Sequence, residues 1–192
     1  MRAILLWAAL FGLAACHSLA PLPTTPWAER RAALQGIEHF EVSGQVAAST
    51  ASEGFSASLR WQQQGASSDL LLRAPLGVGG AHLTYDGTML QVTDSRGAQL
   101  EGVSAQAELV RLLGFEPPLA SLRYWLLGVP DPAITAIETL DAVQRLLQLQ
   151  QGEWQVDYAE YLQSGGQWLP RRLAMHRGAL KLKLQATHWR LL

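Results

Sequence analysis

The chain has 192 residues, 16 % charged and 48 % hydrophobic, with a formal net charge of −1 and a single cysteine. That length suits one domain with a real core, and the near-neutral charge excludes a broad basic surface for nucleic acid. One cysteine excludes an internal disulfide framework and any paired-cysteine zinc or redox site.

The amino terminus reads as a processing signal. Arg2 is a short positive n-region, and Ile4 to Leu13 is an apolar run. The run is shorter than the roughly 20 residues that span a bilayer, so it fits the h-region of a secretory signal peptide. Leu13-Ala14-Ala15-Cys16 resembles the bacterial lipobox, in which small residues enter the cleavage cleft and the thiol takes the lipid. The expectation is a signal peptide over 1–15 and lipidation of Cys16. At ~0.8 kcal/mol per buried CH₂, two or more acyl chains anchor a protein stably. His17 and Ser18 follow, without the Asp that holds such lipoproteins at the inner membrane. This points to the periplasmic face of the outer membrane. Residues 16–25 are then the lipidated cysteine and a tether of two prolines and no charge, reaching about 30 Å when extended.

The remainder, 26–192, reads as one domain. Thr25 can cap a short helix from Pro26 to Gln35, ended by Gly36. Strands follow. Phe40, Val42, Gly44, Val46 and Ala48 alternate with polar residues, as do Phe55, Ala57, Leu59 and Trp61. Such period-2 patterns predict half-buried antiparallel strands. Leu70 to Ala74 is a third strand. Ala81–Tyr85 and Met89–Thr93 flank the turn signal Asp86-Gly87. Ala98–Val103 comes next. Ser104 can cap a helix over 105–113 before Gly114, and Pro117-Pro118 opens another over 118–127 before Gly128. Residues 133–142 read as a loop or a short strand. Val143–Gln150, Trp154–Leu162, Trp168–Arg177 and Ala179–Trp189 complete ten or eleven strands. The fold class is mainly β with a few helices. A sheet of that size curls, which predicts an incomplete antiparallel barrel around an apolar cavity, with the two helices as its cover.

The chain lacks the usual marks of catalysis. Its five histidines, at 17, 39, 82, 176 and 188, include no pair at metal-ligand spacing. There is no Gly-x-Ser-x-Gly elbow, and Gly77-Val78-Gly79-Gly80 lacks the residues of a phosphate loop. The reading is non-enzymatic, without metal or cofactor. The loop Pro75-Leu76-Gly77-Val78-Gly79 is unusual, because it joins two strands yet presents Leu76 and Val78 among glycines. Leu76 either folds back onto the core or forms an apolar tip that dips into a membrane or a partner's groove. Burying one Leu is worth about 2 kcal/mol, enough to orient a protein already anchored by lipid.

Several segments jointly resemble the LolB family of outer-membrane lipoprotein receptors. They are the lipobox, Phe40-Glu41-Val42-Ser43-Gly44-Gln45, Leu59-Arg60-Trp61-Gln62 and Ala74-Pro75-Leu76-Gly77. With them go Pro118 to Pro130, Trp154-x-Val156-x-Tyr158 and the closing Leu182-Lys183-Leu184 to Trp189. Residues 131–142 match nothing in the pattern. The resemblance implies an unclosed barrel under a helical lid. It also implies a receptor that accepts acylated lipoproteins from a LolA-like periplasmic carrier and inserts them into the outer membrane. The family's exposed apolar loop residue falls on Leu76. The acyl-chain cavity is then expected from inward strand residues and the lid. The candidates are Phe40, Val42, Val46, Leu59, Trp61, Leu72, Leu83, Leu90, Trp125, Leu126, Trp154, Val156, Leu182 and Leu184. The expected partners are the carrier, its acylated cargo and the outer membrane, with the protein a monomer. The alternatives are a lipid or lipopolysaccharide carrier of similar fold and a structural outer-membrane lipoprotein.

Overall fold

The computed structural model describes residues 25–50, 54–75 and 79–192. The expected signal peptide, Cys16, nearly all of the tether and the loop residues Leu76 and Val78 lie outside the described residues.

After helix α1 (Trp27–Gln35), strands β1 (His39–Ser49), β2 (Gly54–Gln64), β3 (Ser67–Arg73), β4 (Gly80–Tyr85), β5 (Leu90–Asp94) and β6 (Gln99–Glu101) meander to one edge of a sheet. Helices α2 (Gly102–Leu113) and α3 (Leu119–Leu127) then carry the chain across. From the opposite edge β7 (Ala136–Leu140), β8 (Leu146–Gln151), β9 (Trp154–Ser164), β10 (Gln167–Arg177) and β11 (Leu180–Leu191) meander back. There β11 pairs with β1, giving one antiparallel sheet of 11 strands in the order β6-β5-β4-β3-β2-β1-β11-β10-β9-β8-β7. Its edges, β6 and β7, do not pair with each other, so the barrel is open.

The alternation in the sequence becomes the two faces of this sheet. Along β11, Leu180, Leu182, Leu184 and Ala186 are buried while Lys181, Lys183 and Gln185 are exposed. The inner face must be strongly curved. Leu83 on β4 and Met175 on β10 border the same small hollow, yet they are five strand steps apart in the order, about 24 Å on a flat sheet at ~4.8 Å per step. Bulges supply part of the bend. One lies between Ser43 and Gly44, where β1 slips one residue against β11. A Cβ on Gly44 would sit 2.1 Å from the Gln185 carbonyl oxygen, so only glycine fits there. A second irregularity spans Pro170 to Leu173, and it accommodates a proline within a central strand.

Three local readings are corrected. Helix α1 begins at Trp27 with Pro26, not Thr25, in the cap position, and no side chain caps it. Helix α2 begins at Gly102, two residues before Ser104, because the left-handed φ of 55° at Gly102 turns strand β6 straight into the helix. Strand β8 starts at Leu146 rather than Val143. The Asp141 carboxylate accepts the Val143 and Arg145 amides, which holds residues 141–145 in a turn. The ambiguous stretch 133–142 contains the edge strand β7. Helix α1 braces that edge: Trp27 Nε1 and Arg31 Nη1 both reach the Glu138 carboxylate, at 2.5 and 2.6 Å.

Candidate functional site

Helices α2 and α3, with the connector 114–118, cover the concave face, and the two halves of this cover are held differently. Helix α3 is apolar nearly all round and buries Leu119, Leu122, Trp125, Leu126 and Leu127. It is also fastened by buried polar links. Trp125 Nε1 donates to Gln151 Oε1 at 2.8 Å, and that oxygen also accepts the Asp131 amide at 2.9 Å. The Gln151 amide nitrogen donates to the carbonyls of Asp131 and Ile134. Ser121 Oγ donates to Asp131 Oδ2 at 2.7 Å. The Tyr158 hydroxyl donates to the Trp125 carbonyl at 3.0 Å. Burial pushes the Tyr158 hydroxyl well above its ordinary value, so it stays a donor at any physiological pH. The helix stops at Gly128, whose φ of 76° is the left-handed cap and where an added Cβ would meet the Pro170 ring at 3.0 Å and force it to shift.

Helix α2 has no such fastening. It buries Ala105 and Leu109, while Val103 is 81 % exposed and Val110 is 41 % exposed. Its side-chain ion pair, Arg111 with Glu108, lies within the helix. Among the described residues no side-chain hydrogen bond ties α2 to the sheet. Glycines with positive φ stand at both ends, Gly102 at 55° and Gly114 at 78°.

Between cover and sheet lies a hollow of about 60 Å³. Its floor is Val46 of β1, Phe55, Leu59 and Trp61 of β2, Leu70 and Leu72 of β3, Leu83 of β4, Met175 of β10, and Leu182 and Leu184 of β11. Its roof is Leu113, Phe115, Pro117, Leu119, Leu122 and Leu126. Every lining side chain is apolar. Larger depressions on the molecule are walled differently. One of about 330 Å³ on the outer face is bordered by Gln62, Gln64, Ser67, Asp69 and Asp86 as well as Tyr85 and Met89, a mixed wall rather than an apolar one.

Eight of the fourteen expected cavity residues border the hollow: Val46, Leu59, Trp61, Leu72, Leu83, Leu126, Leu182 and Leu184. The other six do not. Phe40 packs on Trp189, with ring centroids 5.5 Å apart. Val42 and Val156 are fully buried core. Trp125 and Trp154 pack on each other at 5.8 Å. Leu90 borders a separate groove between the β4–β5 hairpin and the helices. The expectation omitted Phe55, Leu70, Leu113, Leu119, Leu122 and Met175, although each stands on an apolar face visible in the sequence. Phe115 and Pro117 lie in a connector with no periodicity to mark them. Among the described residues no three His, Cys, Asp or Glu side chains come together as a metal site.

Comparison with known proteins agrees with this architecture. The family model described as "Outer membrane lipoprotein LolB" matches residues 38–189. An outer-membrane lipoprotein LolB of Nitrosococcus oceani is 35 % identical over 170 residues, covering 88 % of this chain and 85 % of that protein. One from Pseudomonas putida is 33 % identical over 165 residues, covering 85 % and 80 %. The fold is shared with the crystal structure of a LolA superfamily protein from Nitrosomonas europaea, with a TM-score of 0.57 at 10 % identity, covering 88 % of this chain and 94 % of that one. It is also shared with a DUF1329 family protein from Desulfovibrio piger, with a TM-score of 0.54 at 9 % identity, covering 86 % and 90 %. With a family model matched over most of its length and relatives at this identity, the chain belongs to the outer membrane lipoprotein LolB family.

Proposed function

We propose that this protein is an outer-membrane lipoprotein receptor. It takes acylated lipoproteins from a LolA-like periplasmic carrier and inserts them into the outer membrane. It works as a single chain held on the periplasmic face by acylated Cys16 and the tether that follows. The observation that carries this reading is the wholly apolar hollow between the curled sheet and its two helices.

A lipoprotein cannot cross water at a useful rate. Exposing a chain of ~16 carbons costs on the order of 10 kcal/mol at ~0.8 kcal/mol per CH₂. A receptor removes that barrier by offering a continuous apolar path. No bond has to be made or broken, so the transfer needs no catalytic group. Direction comes from graded affinity, carrier below receptor and receptor below membrane, and each 1.4 kcal/mol gives a tenfold bias.

The hollow of about 60 Å³ is a closed state. Small-ligand sites run to about 300–1,000 Å³, so acyl chains enter only when the cover lifts. The half that lifts is α2 with the connector 114–118. It contributes Leu113, Phe115 and Pro117 to the roof, no side-chain hydrogen bond ties it to the sheet among the described residues, and Gly102 and Gly114 flank it. Helix α3 stays in place through Trp125, Gln151 and Asp131. The insertion step belongs to the loop carrying Leu76 and Val78, as an apolar tip entering the bilayer.

The test is to mix the unanchored chain, from residue 16 with Cys16→Ala, with a carrier–lipoprotein complex and follow the cargo. Cargo moving to this chain supports the proposal. Cargo that stays on the carrier refutes it.

A further inference from the structure

Charge along the chain is divided sharply. Residues 161–192 contain no Asp or Glu, yet hold Arg171, Arg172, Arg177, Lys181, Lys183 and Arg190. These residues build β10 and β11, adjacent in mid-sheet. Neighbouring strands neutralise half of them. Glu160 faces Arg171 at 3.7 Å and Arg172 at 2.7 Å, and Glu41 faces Arg190 at 2.5 Å. Arg177, Lys181 and Lys183 have no carboxylate within ion-pair distance among the described residues. Arg177 instead lies over the Trp154 ring at 4.8 Å, a contact that leaves its charge intact.

The three unpaired cations gather at one end of the sheet. Arg177 closes the β10–β11 hairpin opposite Leu180, Lys181 lies between His176 and Ser49, and Lys183 between Ala174 and Ala47. The alanines leave an outer-face groove of about 530 Å³ beside Lys183, which is exposed. The acid of the groove, Asp157, is already engaged by His176 at 3.3 Å and by the Gln148 and Gln155 amides. Glu153 in the β8–β9 turn is exposed and offsets one charge. The register also locates this end. Arg73, the last residue of β3, is level with Ser58, Gln45 and Gln185, and Lys183 and Lys181 lie beyond that level toward the hairpin. Strand β3 therefore ends, and β4 begins, at the end where the hairpin cations cluster.

We infer that this hairpin end is an electrostatic docking surface for an anionic phospholipid bilayer, which turns the loop end of the sheet toward the membrane. The inference rests on the proposed function, which puts the protein at a bilayer. A layer of headgroup charge needs no shaped partner site, and Arg177 at the hairpin tip with Lys181 and Lys183 on the adjoining exposed face meets it without rearrangement. The rest of the chain carries an excess of acid, since the net charge is −1. An anionic surface therefore attracts this end and repels the others, so the charge division sets orientation as well as attraction.

The experiment uses the chain from residue 16 with Cys16→Ala, floated with vesicles of phosphatidylglycerol and phosphatidylethanolamine or of phosphatidylcholine alone. Binding to the anionic vesicles, absent on phosphatidylcholine and lost at high salt, is expected. Each basic side chain near the surface is worth about fivefold in partitioning. Lys181→Gln with Lys183→Gln should then cost about 25-fold, and adding Arg177→Gln about a hundredfold. Lys181→Arg with Lys183→Arg should retain binding, which separates charge from folding. Equal binding by the glutamine pair and the parent chain, or indifference to lipid charge, overturns the inference. Intact vesicle binding with loss of carrier complex also overturns it, and assigns the patch to an acidic protein partner. Uptake of cargo from the carrier without vesicles is the separate readout of the underlying reading. It persists in the glutamine pair if the receptor reading holds, and it fails in the parent chain if that reading is wrong.

Discussion

Replacing Gln151 by Leu tests whether α3 is fastened as described. Gln151 is 2 % exposed, so the substitution occurs in the core. It removes the acceptor of the Trp125 indole and the Asp131 amide, and the donor to the carbonyls of Asp131 and Ile134. Leucine has similar bulk and replaces none of these bonds. The Asp131 carbonyl keeps the Ile134 amide at 3.2 Å and the part-buried Ile134 carbonyl can turn to water, so the Trp125 indole and the Asp131 amide are the two groups left without partners. At about 1–3 kcal/mol for each of these two orphaned groups, the loss should come to about 2–6 kcal/mol. That is a large share of the 5–15 kcal/mol typical of a domain. Trp125→Phe removes the indole donor, leaves Gln151 Oε1 with the Asp131 amide and also deletes ring volume at a buried position, so it should cost about 2–4 kcal/mol. Urea unfolding of both single variants and the double variant gives the coupling directly, and a coupling of about 1 kcal/mol is expected. An apolar fluorescent dye should also bind Gln151→Leu more strongly, because a loosened α3 uncovers the hollow. A cost under 1 kcal/mol, or no coupling between the two positions, would refute the idea that this network holds the helix.

Other consequences follow from the same structure. Leu76→Glu should leave folding and cargo acceptance intact but stop delivery into vesicles, and equal delivery by variant and parent would remove the loop from the insertion step. Backbone amides of α2 should exchange hydrogen faster than those of α3, since α2 buries two residues and has no side-chain hydrogen bond to the sheet among the described residues; equal protection would argue against α2 as the moving half. Leu59→Trp should fill the hollow, reducing cargo uptake at a cost of about 1–3 kcal/mol in stability, as read by transfer assay and urea unfolding. Asp86 and Asp94 are held below the usual carboxylate range, the first chiefly by the Met89 amide and the second by the Ala98 amide. Because their folded values lie below the unfolded value of about 3.9, their stabilisation is complete at neutral pH and is lost as the pH falls below about 4. Urea midpoints measured against pH should therefore be flat near neutrality and drop in acid, and a rise in acid would contradict the sign.

Arg30 gives a prediction of the opposite sign. It is 6 % exposed, its two terminal guanidinium nitrogens have no hydrogen-bond partner, and burial lowers its pKa. Its contact is the Trp27 ring at 5.3 Å. Arg30→Met should be neutral or stabilise by about 1 kcal/mol in urea unfolding, because it removes a buried cation without orphaning a partner.

Local pattern was enough to establish ten of the eleven strands, with the edge strand β7 left open, their inner and outer faces, and both covering helices. Side-chain alternation has a period of two in any strand, whatever it pairs with, so Leu180 to Ala186 declared their buried face before any partner was known. Glycine at 114 and 128 likewise marked two helix ends, because the left-handed cap is a local demand. The resemblance carried by the Pro118 to Pro130 stretch led to the family for the same reason, since its spacing survives without knowledge of contacts. Contacts between distant residues were a different matter. The pairing of β1 with β11, the curl that brings Leu83 and Met175 around one hollow, and the division of inward residues between hollow and solid core depend on which strands meet. Trp61 and Trp125 look alike on an apolar face, yet one borders free space and the other is fixed against Trp154 and Gln151. Only packing distinguishes them, because a void is a property of everything around it and no single segment of chain encodes it.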